Sequence, residues 1–112
     1  MTRPASTPEP PYYVVIFTSR RDEQPNDGYS PTAERMFELA AQQPGFLGYD
    51  TANSDGLGIT VSYWRTESAI AGWKADTEHL DAQRHGRARW YESFEMRVAR
   101  VERAYSFERS TR

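Results

Sequence analysis

The stretch YYVVIFTS, Tyr12–Ser19, constrains the fold more than any other part of the chain. It is β-branched and aromatic almost throughout, the composition of a β-strand. Alternation puts Tyr12, Val14 and Ile16 on one side and Tyr13, Val15 and Phe17 on the other. A strand that is apolar on both sides is covered on both sides. The chain has 112 residues, enough for one domain and one core. In so small a domain another chain can supply part of the second cover, so the first expectation is an oligomer.

The remaining elements follow from local signals. Arg20–Gly28 reads as a polar loop. Ser30-Pro31 opens a helix, Ser as the cap and Pro at the first helical position. Ala33, Met36, Phe37 and Ala40 form its apolar stripe, and Pro44-Gly45 ends it. Phe46–Asn53 and Gly58–Trp64 flank the turn Ser54–Gly56 as a β-hairpin. Thr66 caps a second helix from Glu67, with Ile70, Trp73, Thr77 and Leu80 at helical spacing. Gly86 weakens that helix, and helical signal resumes through Phe94. Arg97–Phe107 alternates again, with Ala99, Val101, Tyr105 and Phe107 on one face and Arg103 interrupting it. The order β-α-β-β-α-β predicts an α+β, ferredoxin-like fold: a four-stranded antiparallel sheet with both helices on one face. Residues 1–11 hold four of the seven prolines and predict a disordered or loosely laid tail. The domain is expected over 12–108 and a short tail over 109–112.

Several function classes are excluded at this level. With no cysteine there is no disulfide scaffold, thiolate zinc site or thiol nucleophile. A net charge of -2, with basic residues scattered among acids, gives no reason to expect nucleic acid. No apolar run approaches the ~18 residues of a membrane span, and MTRPASTPEPP lacks the apolar core of a secretory signal. The expectation is a soluble, cytoplasmic protein with no membrane partner. No Gly-rich phosphate loop, dinucleotide fingerprint or nucleophile elbow is present, so no Rossmann dinucleotide site and no P-loop are expected, while flavin binding without a fingerprint stays open. Glu78, Asp81 and His85 share a helix face but read as a solvated acid–His group. His79 and His85 sit roughly 240° apart around the helix and cannot share one metal.

The segment HLDAQRHGRARW, His79–Trp90, is the chemical anomaly. As a helix it places His79, Ala82, Gln83, Gly86 and Trp90 on one face, where a core stripe would carry Leu, Ile and Val. His79 titrates near neutrality, and Gln83 both donates and accepts hydrogen bonds. Gly86 leaves room, and Trp90 supplies a flat wall. Trp73 comes from earlier in the helix and Trp64 from the strand before it. Aromatic walls with a few polar groups describe a small-molecule pocket. The alternative is a slightly polar core in which His79 and Gln83 bond to backbone. Arg103, on an otherwise apolar face, needs an acceptor: Asp50, an acid of a second subunit, or an anionic substrate group.

QPGFLGYD (Gln43–Asp50), ITVSYWRTESAIAGWKADTEHLDAQRHGRARWYESF (Ile59–Phe94) and VARVERAYSF (Val98–Phe107) resemble the antibiotic biosynthesis monooxygenase family, in particular its small stand-alone bacterial members. The resemblance runs from about Tyr12 to Phe107. It implies a dimeric α+β barrel, two ferredoxin-like sheets face to face. It also implies a cofactor-independent oxidation of a phenolic or quinol-like aromatic by dioxygen, the protein binding, deprotonating and shielding the substrate. Trp73 matches a Trp that lines the site in that family. On this reading His79 and Gln83 are catalytic, as base and orienting group. Trp73, Trp90, Trp64 and Arg103 bind substrate. Haem-degrading relatives use an Asn on the first strand and a His ten residues after the Trp. Here Tyr12–Ser19 has no Asn and the second position is Gln83, which disfavours a haem-binding role. A non-catalytic binding or stress-associated protein using the same pocket is the competing expectation.

Overall fold

A computed structural model describes residues 3–21, 29–84 and 91–110; the side chains of Tyr29, Ser30, Thr32 and residues 79–84 lie outside the described set. The elements are β1 (Tyr12–Arg20), α1 (Tyr29–Gln42), β2 (Phe46–Ser54), β3 (Leu57–Trp64), α2 (Glu67–Arg84) and β4 (Ser93–Val101). The strands form one antiparallel sheet in the order β2-β3-β1-β4. Both helices lie on the same face, as the β-α-β-β-α-β order requires.

The joints are well determined by local chemistry. Pro31 sits in the first turn of α1, where its missing N–H leaves no helical bond unmade. Gly45, at φ +91°, turns the chain out of α1, and its carbonyl accepts the Arg65 N–H at 2.7 Å. Asp55 and Gly56, at φ +51° and +80°, make the two-residue turn between β2 and β3. Positive φ at both positions is the geometry whose twist matches a hairpin. The turn docks against the end of β1: the Arg21 N–H donates to the Gly56 carbonyl at 2.9 Å. Thr66 caps α2, its Oγ1 accepting the Ala69 N–H at 3.1 Å.

The core lies between the helices and the sheet. Val15, Ala40, Trp64, Ala69 and Ile70 are buried, with Tyr13, Phe46, Trp73 and Met96 packed around them. Trp64 is fully enclosed and gives its indole N–H to Ser62 Oγ at 2.8 Å. Phe46 meets it edge-on at 5.2 Å and Trp73 lies tilted against it at 5.4 Å.

Two sequence expectations need correction. The last strand starts at Ser93, not Arg97, so Phe94 is in a strand and not in a continued helix. It also stops at Val101. Arg103 therefore lies past the sheet and is exposed, and Tyr105 and Phe107 are 98% and 85% exposed. Alternation continued beyond the last residue that pairs with β1, which is Val101 opposite Tyr12. Asp50, considered as a partner for Arg103, instead accepts the Ala5 N–H at 2.8 Å and the Tyr63 hydroxyl at 2.7 Å.

The segment before β1 makes defined contacts on the sheet face away from the helices. Besides the Ala5–Asp50 bond, Thr7 Oγ1 donates to the Tyr12 hydroxyl at 2.9 Å, and Arg3 pairs with Glu108. Tyr12 and Val14 on that face are buried. Farther along the same face Leu57 and Ile59 stay 42% and 44% exposed.

Candidate functional site

The β3 alternation runs opposite to what a simple core predicts. Ile59 and Val61 point away from the helices, while Thr60 and Ser62 point toward them with Trp64. The same inversion appears in β2, where Thr51 and Asn53 lie on the helix side. Ser62 is buried and Thr60 half-buried there, whereas Thr51 and Asn53 stand at the exposed edge, and these small side chains do not fill the volume above the sheet. A cavity of about 140 Å³ remains there, bounded by the sheet, α1 and α2. For scale, an engineered apolar cavity of about 150 Å³ takes up benzene.

One end of the cavity is apolar. Met36 and Ala40 of α1, Trp73 and Thr77 of α2, and Phe46 border it. Trp73 is held by its own N–H, which donates to the Met36 carbonyl at 3.3 Å, and by Trp64 behind it. Phe37 and Tyr49 stack at 4.3 Å to form another wall. Thr77, nearly fully buried, donates its hydroxyl to the Lys74 carbonyl at 3.0 Å. The other end carries Ser19, Thr51, Asn53 and Thr60, beside Phe17 and Tyr91. Thr51 and Thr60 share a hydrogen bond of 2.7 Å. Among the described residues, no ionised side chain lines the cavity.

Among the expected site residues with described side chains, Trp73 reaches this cavity. Trp64 does not line it but backs Trp73 from the core. Arg103 is exposed beyond β4. His79 and Gln83 belong to the last turns of α2, but their side chains lie outside the described residues, as does Trp90. Sequence reasoning missed Ser19, Asn53 and the threonine pair. Their signal was present: hydroxyls alternating with Ile59, Val61 and Tyr63 in β3.

Outside the cavity the electrostatic anomaly is Tyr63. Burial, then its hydrogen bond to Asp50, then the charge of that carboxylate, push its pKa up to about 12. Among the described residues no group of three or more His, Asp and Glu is placed to hold a metal ion.

A four-stranded antiparallel sheet with both helices on one face defines a ferredoxin-like α+β domain, here with a cavity between sheet and helices. The sequence profile of antibiotic biosynthesis monooxygenases matches residues 12–85, and the chain belongs to that family. It is 53% identical over 108 residues, 96% of its own length and 94% of the other's, to the uncharacterized protein YqjZ of Bacillus subtilis. It is 28% identical over 92 residues to the jasmonate monooxygenase ABM of Pyricularia oryzae; that match takes 80% of this chain and 43% of the fungal protein. Among solved structures, SnoaB of Streptomyces nogalater, a cofactor-independent oxygenase, superposes with a TM-score of 0.68 over 85% of this chain and 97% of its own. At 14% identity that likeness speaks for the fold.

Proposed function

We propose that the chain is a cofactor-independent monooxygenase that oxidises a small phenolic or quinol-like ring with dioxygen. The observation that carries this reading is the cavity itself, with Trp73 as a flat wall held by Trp64 and by the Met36 carbonyl. The family supports the reaction class. In this proposal His79 takes the phenolic proton and Gln83 orients the resulting anion. Trp73 and Trp90 hold the ring and keep water away. The anion passes electron density to dioxygen. One oxygen atom enters the ring, and the other leaves as water with the two hydrogens that the ring carbon and hydroxyl lose. Because the described lining holds no base, the proton acceptor is assigned to the end of α2.

Oxygen uptake with a panel of hydroquinones and anthrones tests it. Hydroquinones are expected to accelerate uptake over buffer, and the three-ring anthrones less, given the cavity's size. His79→Ala is expected to lower the rate at least tenfold. Uptake unchanged by any substrate, or a rate indifferent to His79→Ala, would overturn the mechanism. Among the described residues the lining carries no charge, which favours one second reading, a non-catalytic carrier of the same ligands, and the same experiment separates the two.

The proposal includes a homodimer built on the sheet face away from the helices, where Leu57 and Ile59 are exposed, and residence in the cytoplasm. Among the described residues no helix is long and apolar enough to cross a membrane.

A further inference from the structure

Ser19 is the most unusual polar group in the cavity. The residue is 7% exposed, it lines the cavity, and no side-chain hydrogen bond of the described residues uses its hydroxyl. Its oxygen is not sealed in the packed interior but opens onto the cavity, where a ligand oxygen can take the place of water. Ser19 closes β1 opposite Gly58 of β3, and Gly58 in turn faces Asn53 of β2. A Cβ at Gly58 would come 3.4 Å from Ser19 Oγ and 3.9 Å from Asn53 Cβ. Gly58 is not at positive φ, so backbone conformation does not require glycine there. The missing side chain leaves a niche with Ser19 on one wall and Asn53 on the other.

The neighbours define what fits. Next along the strands, Thr51 and Thr60 share one hydrogen bond, which uses one hydroxyl hydrogen and leaves the other to donate. Phe17, directly across from Thr60, carries Tyr91 at 5.5 Å and Phe94 at 5.2 Å, so the niche adjoins an aromatic wall. No ionised side chain of the described set lines the cavity to balance a carboxylate or an ammonium group.

We propose that Ser19, Gly58 and Asn53 form an oxygen-binding niche that takes the hydroxyl or carbonyl oxygen of an uncharged ring seated in the cavity. Ser19 and Asn53 both donate and accept, so the niche receives either oxygen type. It orients the ring from the sheet side and selects against charged analogues. This rests on the proposed function to the extent that the cavity must admit a ring.

The test is an NMR titration of the intact chain with phenol, benzene and benzoate. Phenol is expected to bind roughly fivefold more tightly than benzene, the scale of one net hydrogen bond, and to shift the amide signals of Gly58 and Asn53. Benzoate is expected to bind no better than benzene. Ser19→Ala should bring the phenol-to-benzene ratio close to one while benzene affinity stays unchanged. Gly58→Ala fills the niche without strain and should also remove the phenol preference, which covers the case of a poorly folded Ser19 variant. If both rings bind but the ratio survives both substitutions, the niche is refuted and the cavity reading stands. If none of the three binds, the cavity reading fails and the niche with it.

Discussion

At the scale of single residues, Trp64 and Tyr63 occupy adjacent positions with opposite tasks. Trp64 is fully buried, bonded to Ser62 and packed between Phe46 and Trp73. Trp64→Ala is expected to cost about 3–5 kcal/mol, read from urea unfolding. Tyr63 points the other way, and its hydroxyl donates to Asp50. Its pKa is raised from 10.0 to about 12. The contribution of its protonated form is therefore full below pH 10 and lost as pH rises through 12. Ultraviolet titration of phenolate should show one late-ionising tyrosine, absent in Tyr63→Phe. Asp50→Asn should bring that step to lower pH.

At the scale of elements, two glycines at the start of β3, Gly56 just before it and Gly58 within it, respond differently to the same change. Gly56 is at φ +80°, and a Cβ there would fall 2.7 Å from the Arg21 carbonyl oxygen. Gly56→Ala is expected to destabilise by about 1–3 kcal/mol from backbone strain alone, measured by thermal unfolding, whereas Gly58→Ala should leave the midpoint nearly unchanged. The hairpin and the order of elements were legible in the sequence, because Asp-Gly between alternating strands and Thr66 before Glu67 are local signals. The bounds of β4 were not. Phe94, Met96 and Val98 form a short apolar set that fits helix or strand equally. Tyr105 and Phe107 continue an alternation that has no partner strand left to pair with. The segment before β1 was read from its prolines, which exclude regular structure but not side-on contacts such as Ala5 with Asp50. For the site, the Trp73 wall was legible from helical spacing. The polar floor was not, because Thr60 and Ser62 read as a solvent side until both helices are seen to cover them.

At the scale of the whole molecule, the sheet has one face under the helices and one only partly covered. On the open face Ile59 and Leu57 are 44% and 42% exposed, and on the helix side Val98, opposite Val15, is 53% exposed. The proposed dimer places a second copy on the open face. Sedimentation should give a dimer of about twice 12.9 kDa at micromolar concentration. Ile59→Lys is expected to yield a monomer that keeps its secondary structure by circular dichroism. A wild-type monomer, or a dimer indifferent to Ile59→Lys, would refute the proposed interface.

The paired indoles give the chain an optical readout of its own state. Trp64 is sealed from solvent, while Trp73 forms part of the cavity wall. In a Trp90→Phe background, a collisional quencher should dim one emitter and spare the other. A ligand that enters the cavity should shield the accessible one. Fluorescence can then report folding through Trp64 and occupancy through Trp73 in one label-free experiment, before any substrate is known.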